Sequence, residues 1–231
     1  MVYNWVDYSF PPLEAASPEG LLAVGGDLSS DRLLSAYRRG IFPWFSQGQP
    51  ILWWSPDPRA VLYPAAMRVS RSLRRSLRKS EFSVTTDRVF SKVIARCARN
   101  RKDQDGTWIT QEMQDAYIAL HRLGFAHSVE TWQAGELVGG LYGVSIGKAF
   151  FGESMFSCVS DASKTALVGL AKVLTHSGYH FIDCQIRSAH LDSLGAQSIS
   201  RAHFAQALKD AVVIDENPRL WDLTVDAREL A

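Results

Sequence analysis

Three polar side chains stand inside otherwise apolar runs. Glu153 interrupts Ala149–Phe156, and Asp183 and Gln185 punctuate the stretch FIDCQ. A carboxylate can take a proton or attract a cation, and an amide can hold an amine through its oxygen. If FIDCQ is a strand, its alternation puts Asp183 and Gln185 on one face and Ile182 and Cys184 on the other. Such groups are costly to bury unpaired. Two arrangements satisfy them: an internal hydrogen-bond network, or a mostly apolar pocket with a few polar anchors.

Other chemistries lack their patterns. There is no H-E-x-x-H and no C-x-x-C, and His176 and His180 are separated by Gly178, which ends a helix. The six histidines therefore read as structural or surface groups, and no metal site is expected. Gly152-Glu153-Ser154-Met155-Phe156 starts like a nucleophile elbow but lacks the last glycine. Gly25-Gly26-Asp27 has no following Lys-Ser/Thr and reads as a turn rather than a phosphate loop. Three cysteines at wide spacing, Cys97, Cys158 and Cys184, argue against a disulfide framework and for a reducing cytoplasm. No apolar run approaches the ~20 residues of a membrane span, and the first residues lack a secretion-signal pattern.

A net charge of +1 conceals a polarised map. From Arg68 to Lys102 twelve Lys/Arg face Glu81 and Asp87, a local excess of +10. Arg68, Arg71, Arg75 and Arg78 fall on one helical face, which Arg74 and Lys79 widen. Arg88, Lys92, Arg96 and Arg99 repeat the spacing. One basic helix is ordinarily a solvated face; two in succession point to a phosphate backbone. Tryptophans stand nearby in turn-rich segments, Trp44 after Phe42-Pro43 and Trp108 in TWIT. Exposed, they would serve as stacking platforms for unpaired bases; of Trp53 and Trp54, at least one should be buried, since adjacent strand residues face opposite ways.

The elements that must hold these residues alternate between helical and extended patterns. Residues 1–60 form a small turn-rich N-terminal domain with one short helix, Leu33, Leu34 and Tyr37 on its inner face and Gly40 at its end. Strands are expected at 51–54 and 59–63. Residues 61–231 form a larger domain. It carries the helix capped by Ser70, a strand over 82–86 and a basic helix over 88–99. An Asp105-Gly106 turn and a helix over 111–123 come next. Three hairpin-linked strands near 125–132, 137–146 and 148–156 follow, then an amphipathic helix over 161–176 and a strand over 179–185. Two short helices, 188–194 and 200–211, precede an irregular tail. This is an α+β pattern with a mixed sheet.

Taken together, GLLAVGGDLS, YRRGIFPWF, LWWSPDPRAVL, GTWIT, ELVGGLYGVSIGKAFFGESMFS, DASKTAL and FIDCQ resemble the leucyl/phenylalanyl-tRNA–protein transferases. The resemblance runs from about Gly20 to about Phe204. It implies a small N-terminal domain on a GNAT-like acyltransferase domain. It implies transfer of Leu or Phe, less readily Met, from aminoacyl-tRNA to proteins that begin with Arg or Lys, creating an N-terminal degradation signal. The aminoacyl ester is already activated, so no cofactor is expected. The resemblance assigns Asp183 and Gln185 to the proton step, Gln185 holding the amine and Asp183 orienting it. Glu153 matches an acid that would attract the basic acceptor. Leu141, Phe150, Leu167 and Ile182 match the donor amino-acid pocket. Trp44 and Trp108 match positions that hold the terminal adenosine, and Arg71, Arg74, Arg75, Arg78 and Lys79 match a patch for the tRNA backbone. A cytoplasmic monomer without membrane contact is expected. Two other readings are an acetyl-CoA N-acetyltransferase, whose pyrophosphate turn is missing before Asp161, and a non-enzymatic RNA-binding module.

Overall fold

The computed structural model describes residues 6–79, 81–102, 108–213 and 221–231; the expected Asp105-Gly106 turn lies outside them. Two sheets organise the chain. A small one joins β1 (Leu21–Val24), β2 (Phe42–Pro43) and β3 (Leu52–Trp54) in the order β1-β3-β2. Its helix α1 (Ser30–Tyr37) is capped by Ser29, whose hydroxyl accepts from the Arg32 amide. Gly40, at φ 75°, ends that turn.

The large sheet has eight strands: β4 (Arg59–Leu62), β5 (Phe82–Thr86), β6 (Ala126–Gln133), β7 (Glu136–Ile146), β8 (Ala149–Ser157), β9 (Phe181–Gln185), β10 (Gln197–Ile199) and β11 (Thr224–Asp226). Their order is β10-β4-β9-β8-β7-β6-β5-β11. β6, β7 and β8 are joined by tight turns and pair antiparallel, as the short Gly-containing connections predict. β8 and β9 pair parallel, through the crossover helix α5 (Ala162–His176). The architecture is thus α+β with a mixed sheet.

Two differences from the sequence reading have physical reasons. The second basic helix, α3 (Phe90–Lys102), starts after Arg88, whose guanidinium reaches Thr224 Oγ1 at 3.4 Å instead. The tail is also not wholly irregular. β11 adds to the edge of β5, and the following 3-10 turn is closed by an Asp226–Glu229 capping box. A three-residue strand at a sheet edge carries too little periodicity to be read from sequence.

Side chains alternate across the large sheet and separate two buried clusters. Tyr142, Phe151 and Phe181 join the cluster with α1, α3, α4 (Gln111–Arg122) and α7 (Arg201–Val212). Leu141, Phe150 and Ile182 join the other, with α2 (Arg71–Lys79) and α5. At 5.0 Å the rings of Tyr37 and Phe151 tie α1 to the large sheet.

Candidate active site

The parallel pairing of β8 and β9 is short. Ala149, Phe150 and Phe151 oppose Phe181, Ile182 and Asp183, and beyond that point both strands run on unpaired with each other. Each strand carries an irregularity there. On β8, Gly152 opposes Gly143 and Ser154 opposes Tyr142, so Glu153 is an extra residue. On β9, Asp183 opposes Val61 and Gln185 opposes Ala60, so Cys184 is the extra one. These are β-bulges, which bend a strand and re-aim its side chains. Gly143 permits the first: a Cβ there would lie 2.6 Å from the Phe150 ring and 2.2 Å from the Phe151 carbonyl oxygen.

The second bulge overturns the expectation that Asp183 and Gln185 share a face. Inserting Cys184 breaks the two-residue alternation. Asp183 is fully buried, and its carboxylate receives Arg59 Nε at 2.8 Å and Arg59 Nη2 at 2.6 Å. Its Oδ1 also accepts the Gln185 backbone N–H at 3.0 Å. Gln185 sits at φ 55°, a left-handed conformation that a non-glycine residue keeps only when its surroundings impose it. Asp183 is one such constraint. Arg59 is itself fixed, its guanidinium 4.9 Å from the Phe42 ring and 4.5 Å from the Phe204 ring.

Where the strands part, a cavity of ≈ 430 Å³ opens. Leu141, Phe150, Leu167 and Ile182 line its apolar part, and Glu153, Gln185, Trp44 and Trp108 also line it. Eight of the nine residues expected in the catalytic, adenosine and donor sites therefore share one cavity, and Asp183 stands behind the wall. Trp44 is 42% exposed. Trp54 backs it, with the ring centroids 5.9 Å apart and the Trp54 indole N–H donating to the Trp44 carbonyl at 2.7 Å. Trp53 is buried and donates to the Gly25 carbonyl at 2.9 Å, so one of the adjacent pair is core, as strand alternation requires.

Glu153 is the most perturbed carboxyl of the cavity. Burial raises its pKa from 4.5 to about 7 against the pull of hydrogen bonds from Tyr37 and Tyr117; Asp183 adds to the rise and Arg59 opposes it. Gln185 Nε2 lies 3.5 Å from Glu153 Oε1, at the outer limit of a hydrogen bond. Cys184, also on the wall, has its thiol pushed well up by burial and then by Asp183, so it is protonated at neutral pH.

The five basic residues of α2 lie outside the cavity. Arg71, Arg74, Arg75, Arg78 and Lys79 line the outer side of the helix, while Leu73 and Leu77 bury the opposite stripe in the cluster that contains Leu141, Phe150, Leu167 and Ile182. The chain just before α2 approaches the same region: the Arg68 amide donates to the Leu194 carbonyl at 2.9 Å, and Leu194 follows α6 (Ala189–Ser193), whose His190 and Leu191 line the cavity. A wider depression of ≈ 820 Å³, between Gln47–Pro50 and α3–α4, contains none of the expected site residues.

Sequence reasoning missed three participants: Arg59, Tyr37 and Tyr117. Each left a signal. A lone arginine opening the apolar strand RAVL needs a buried anion, and a tyrosine on a fully apolar helix face needs a partner for its hydroxyl. Neither signal names that partner.

An apolar pocket with a neutral-range carboxyl at one end and an indole platform at its rim has the makings of an enzyme's active site. Comparison with known proteins identifies which type. Residues 61–209 match the leucyl/phenylalanyl-tRNA protein transferase model, and residues 26–57 match the N-terminal domain model of the same proteins. The leucyl/phenylalanyl-tRNA–protein transferase of Nitrosomonas europaea is 56% identical over 226 residues, covering 96% of each chain. Those of Stutzerimonas stutzeri and Pseudomonas fluorescens are 59% and 60% identical, each over 87% of this chain and 90% and 89% of their own. The chain belongs to the leucyl/phenylalanyl-tRNA–protein transferase family. A solved structure, the C-terminal domain of a putative lysylphosphatidylglycerol synthetase from Agrobacterium fabrum, aligns at a TM-score of 0.41 and 9% identity over 78% of this chain and 55% of that one.

Proposed function

We propose that this chain moves Leu or Phe, and less readily Met, from aminoacyl-tRNA to the α-amino group of proteins that begin with Arg or Lys, marking them for degradation in the cytoplasm. The observation that carries this reading is the joining of an apolar pocket to Glu153 and Gln185 in one cavity, in a chain of this family.

The donor side chain enters between Leu141, Phe150, Leu167 and Ile182. A side chain unbranched at Cβ passes their rims, and a β-branched one clashes, which accounts for a preference for Leu and Phe over Ile and Val. Trp44 and Trp108 hold the terminal adenosine by stacking, worth ~1–3 kcal/mol per base. The α2 arginines grip the tRNA backbone, which positions it without reading sequence. The GNAT-like architecture expected for the larger domain suits such an open-ended strand pair.

The chemistry is aminolysis of an ester that is already activated. The chain's task is to bring amine and carbonyl together and to manage protons. With Nε2 turned toward Glu153, the Gln185 side-chain oxygen is left to accept from the amine. Asp183 acts through Gln185, by anchoring its backbone amide and holding it in the left-handed conformation. Ionised Glu153 attracts the cationic acceptor.

The test is transfer of radiolabelled Leu from Leu-tRNA to a substrate that begins with Arg. Incorporation above a no-enzyme control is expected. No incorporation, with an active reference transferase run in parallel, overturns the reading.

A further inference from the structure

Two tyrosines that do not line the cavity complete its chemistry. Tyr37 Oη on α1 lies 2.7 Å from Glu153 Oε1, and Tyr117 Oη on α4 lies 3.1 Å from Oε2. The two phenol oxygens hydrogen-bond each other. Both tyrosines are fully buried, while Glu153 also faces the cavity, so these three contacts form a closed ring with its phenols in the core and its carboxyl at the cavity wall.

Counting protons decides what the ring holds. Each of its three oxygen–oxygen contacts needs one hydrogen. The phenols bring two, and burial followed by the charge of Glu153 raises both phenol pKa values well above the usual 10, so neither is lost. The third hydrogen has one source within the ring, the carboxyl. When it is present, Tyr37 donates to Oε1, protonated Oε2 donates to Tyr117, and Tyr117 donates to Tyr37. When Glu153 is ionised, one contact is left with lone pairs facing each other.

We propose that Tyr37, Tyr117 and Glu153 form a proton store for the transfer reaction, a ring that is one hydrogen short when empty and closes on accepting a proton from the entering α-ammonium. This inference rests on the aminoacyl-transfer reading above. The acceptor brings three protons on its α-nitrogen, and the amide keeps one. The first to leave passes to the Glu153 carboxylate and closes the ring, freeing the amine. The C–N bond then forms at the ester carbonyl, and the C–O bond to the ribose breaks. The second proton goes from nitrogen to the departing ribose oxygen. The stored proton returns to water after the product leaves, so each turnover releases one.

The ring is matched to this donor. The Glu153 pKa of about 7 stands within about one unit of a free α-amino group, so the exchange is within about tenfold of balance. The other groups facing the ring are Asp183 on β9, which favours the filled state, and Arg59 on β4, which favours the empty one. Gln185 on β9 points its Nε2 at Oε1, and Tyr142 on β7 lies edge-on to Tyr117 at 5.7 Å. Tyr37 and Tyr117 are positioning residues, since they act only through Glu153.

The experiment is difference infrared spectroscopy of the full chain between pH 5 and 9, read at the carboxylic-acid C=O stretch, alongside the pH profile of transfer. Glu153→Gln is the reference: its amide supplies a carbonyl to Tyr37 and an N–H to Tyr117, closing the ring with no titratable proton. Wild type minus Glu153→Gln should show one carboxyl titrating near pH 7, and the rising limb of kcat/KM should share that midpoint. Tyr117→Phe removes one of the two phenols that hydrogen-bond the ionised carboxyl and hold its pKa down, so both midpoints should rise. A purely structural defect would scale the rate and leave the limb in place. The proposal is overturned if no carboxyl titrates between pH 6 and 8, or if Tyr117→Phe leaves the midpoint unmoved. Transfer absent at every pH in wild type would overturn the aminoacyl-transfer reading instead, while the infrared titration still decides whether the ring holds a proton.

Discussion

The Arg59 guanidinium and the Asp183 carboxylate form a two-point pair, 2.8 Å and 2.6 Å, with both side chains 1% exposed or less. Removing one partner of such a pair leaves a buried charge and costs about 3–5 kcal/mol. Arg59→Met should therefore lower Tm by roughly 6–20 °C for a chain of this size. Thermal melts should also show that Arg59→Met with Asp183→Leu recovers much of the loss while transfer stays abolished, because the Gln185 amide remains without its anchor. Equal destabilisation in the single and double variants would contradict this account.

Glu153 makes stability depend on pH. Its folded pKa, about 7, lies above the ordinary 4.5, so the folded state binds the extra proton between those values. The stabilisation is complete below about pH 4.5 and is lost as pH rises through 7, with about 3 kcal/mol at stake. Urea titrations of wild type and Glu153→Gln at pH 5 and pH 8 isolate it: the difference in unfolding free energy between the two proteins should change by that order. A pH-independent difference would mean the carboxyl is not perturbed.

Charge reversal on α2 should separate binding from chemistry. Arg74→Glu with Arg75→Glu changes exposed side chains only, so melts should be unaltered. Binding of aminoacyl-tRNA should weaken, and its logarithmic salt slope should fall by about one for each phosphate the helix no longer neutralises. Unchanged slope and affinity would remove this helix from the interface.

The tryptophans predict opposite phenotypes. Trp44→Ala should reduce affinity for aminoacyl-tRNA by roughly 5- to 150-fold, the equivalent of one stacked base at ~1–3 kcal/mol, with little effect on Tm. Trp53→Ala empties a core site and should destabilise by about 3–5 kcal/mol. Calorimetry and filter binding on both variants would expose a reversal.

Much of this was legible in the sequence, for physical reasons that differ by residue. Two helices announced themselves because Ser70 and Thr110 stand where orphan amides need an acceptor, and each accepts one. Leu141, Phe150, Leu167 and Ile182 came from the family resemblance and converge on one cavity. The disposition of Asp183 did not follow. A period-two pattern cannot reveal an extra residue, so the bulge at Cys184 was invisible and Asp183 was read as a neighbour of Gln185 on one face. Tyr37, Tyr117 and Arg59 were missed because their partners come from elements 36 to 124 residues away, a separation on which local pattern carries no information.

The two extra residues, Glu153 and Cys184, set regularity against competence. Excising either would let its strand resume an even pleat and regain ladder bonds, so a one-residue deletion need not harm the fold. The same deletion would keep the register but erase the local turn at the bulge, and at β8 it would remove the Glu153 carboxyl itself. Without Cys184, Gln185 would follow Asp183 directly and still oppose Ala60, but it would lose the left-handed turn and the backbone bond to Asp183 that aim its amide at Glu153. A chain shortened by that single residue should remain folded by circular dichroism and be inert in transfer: a tidier sheet with nothing to do.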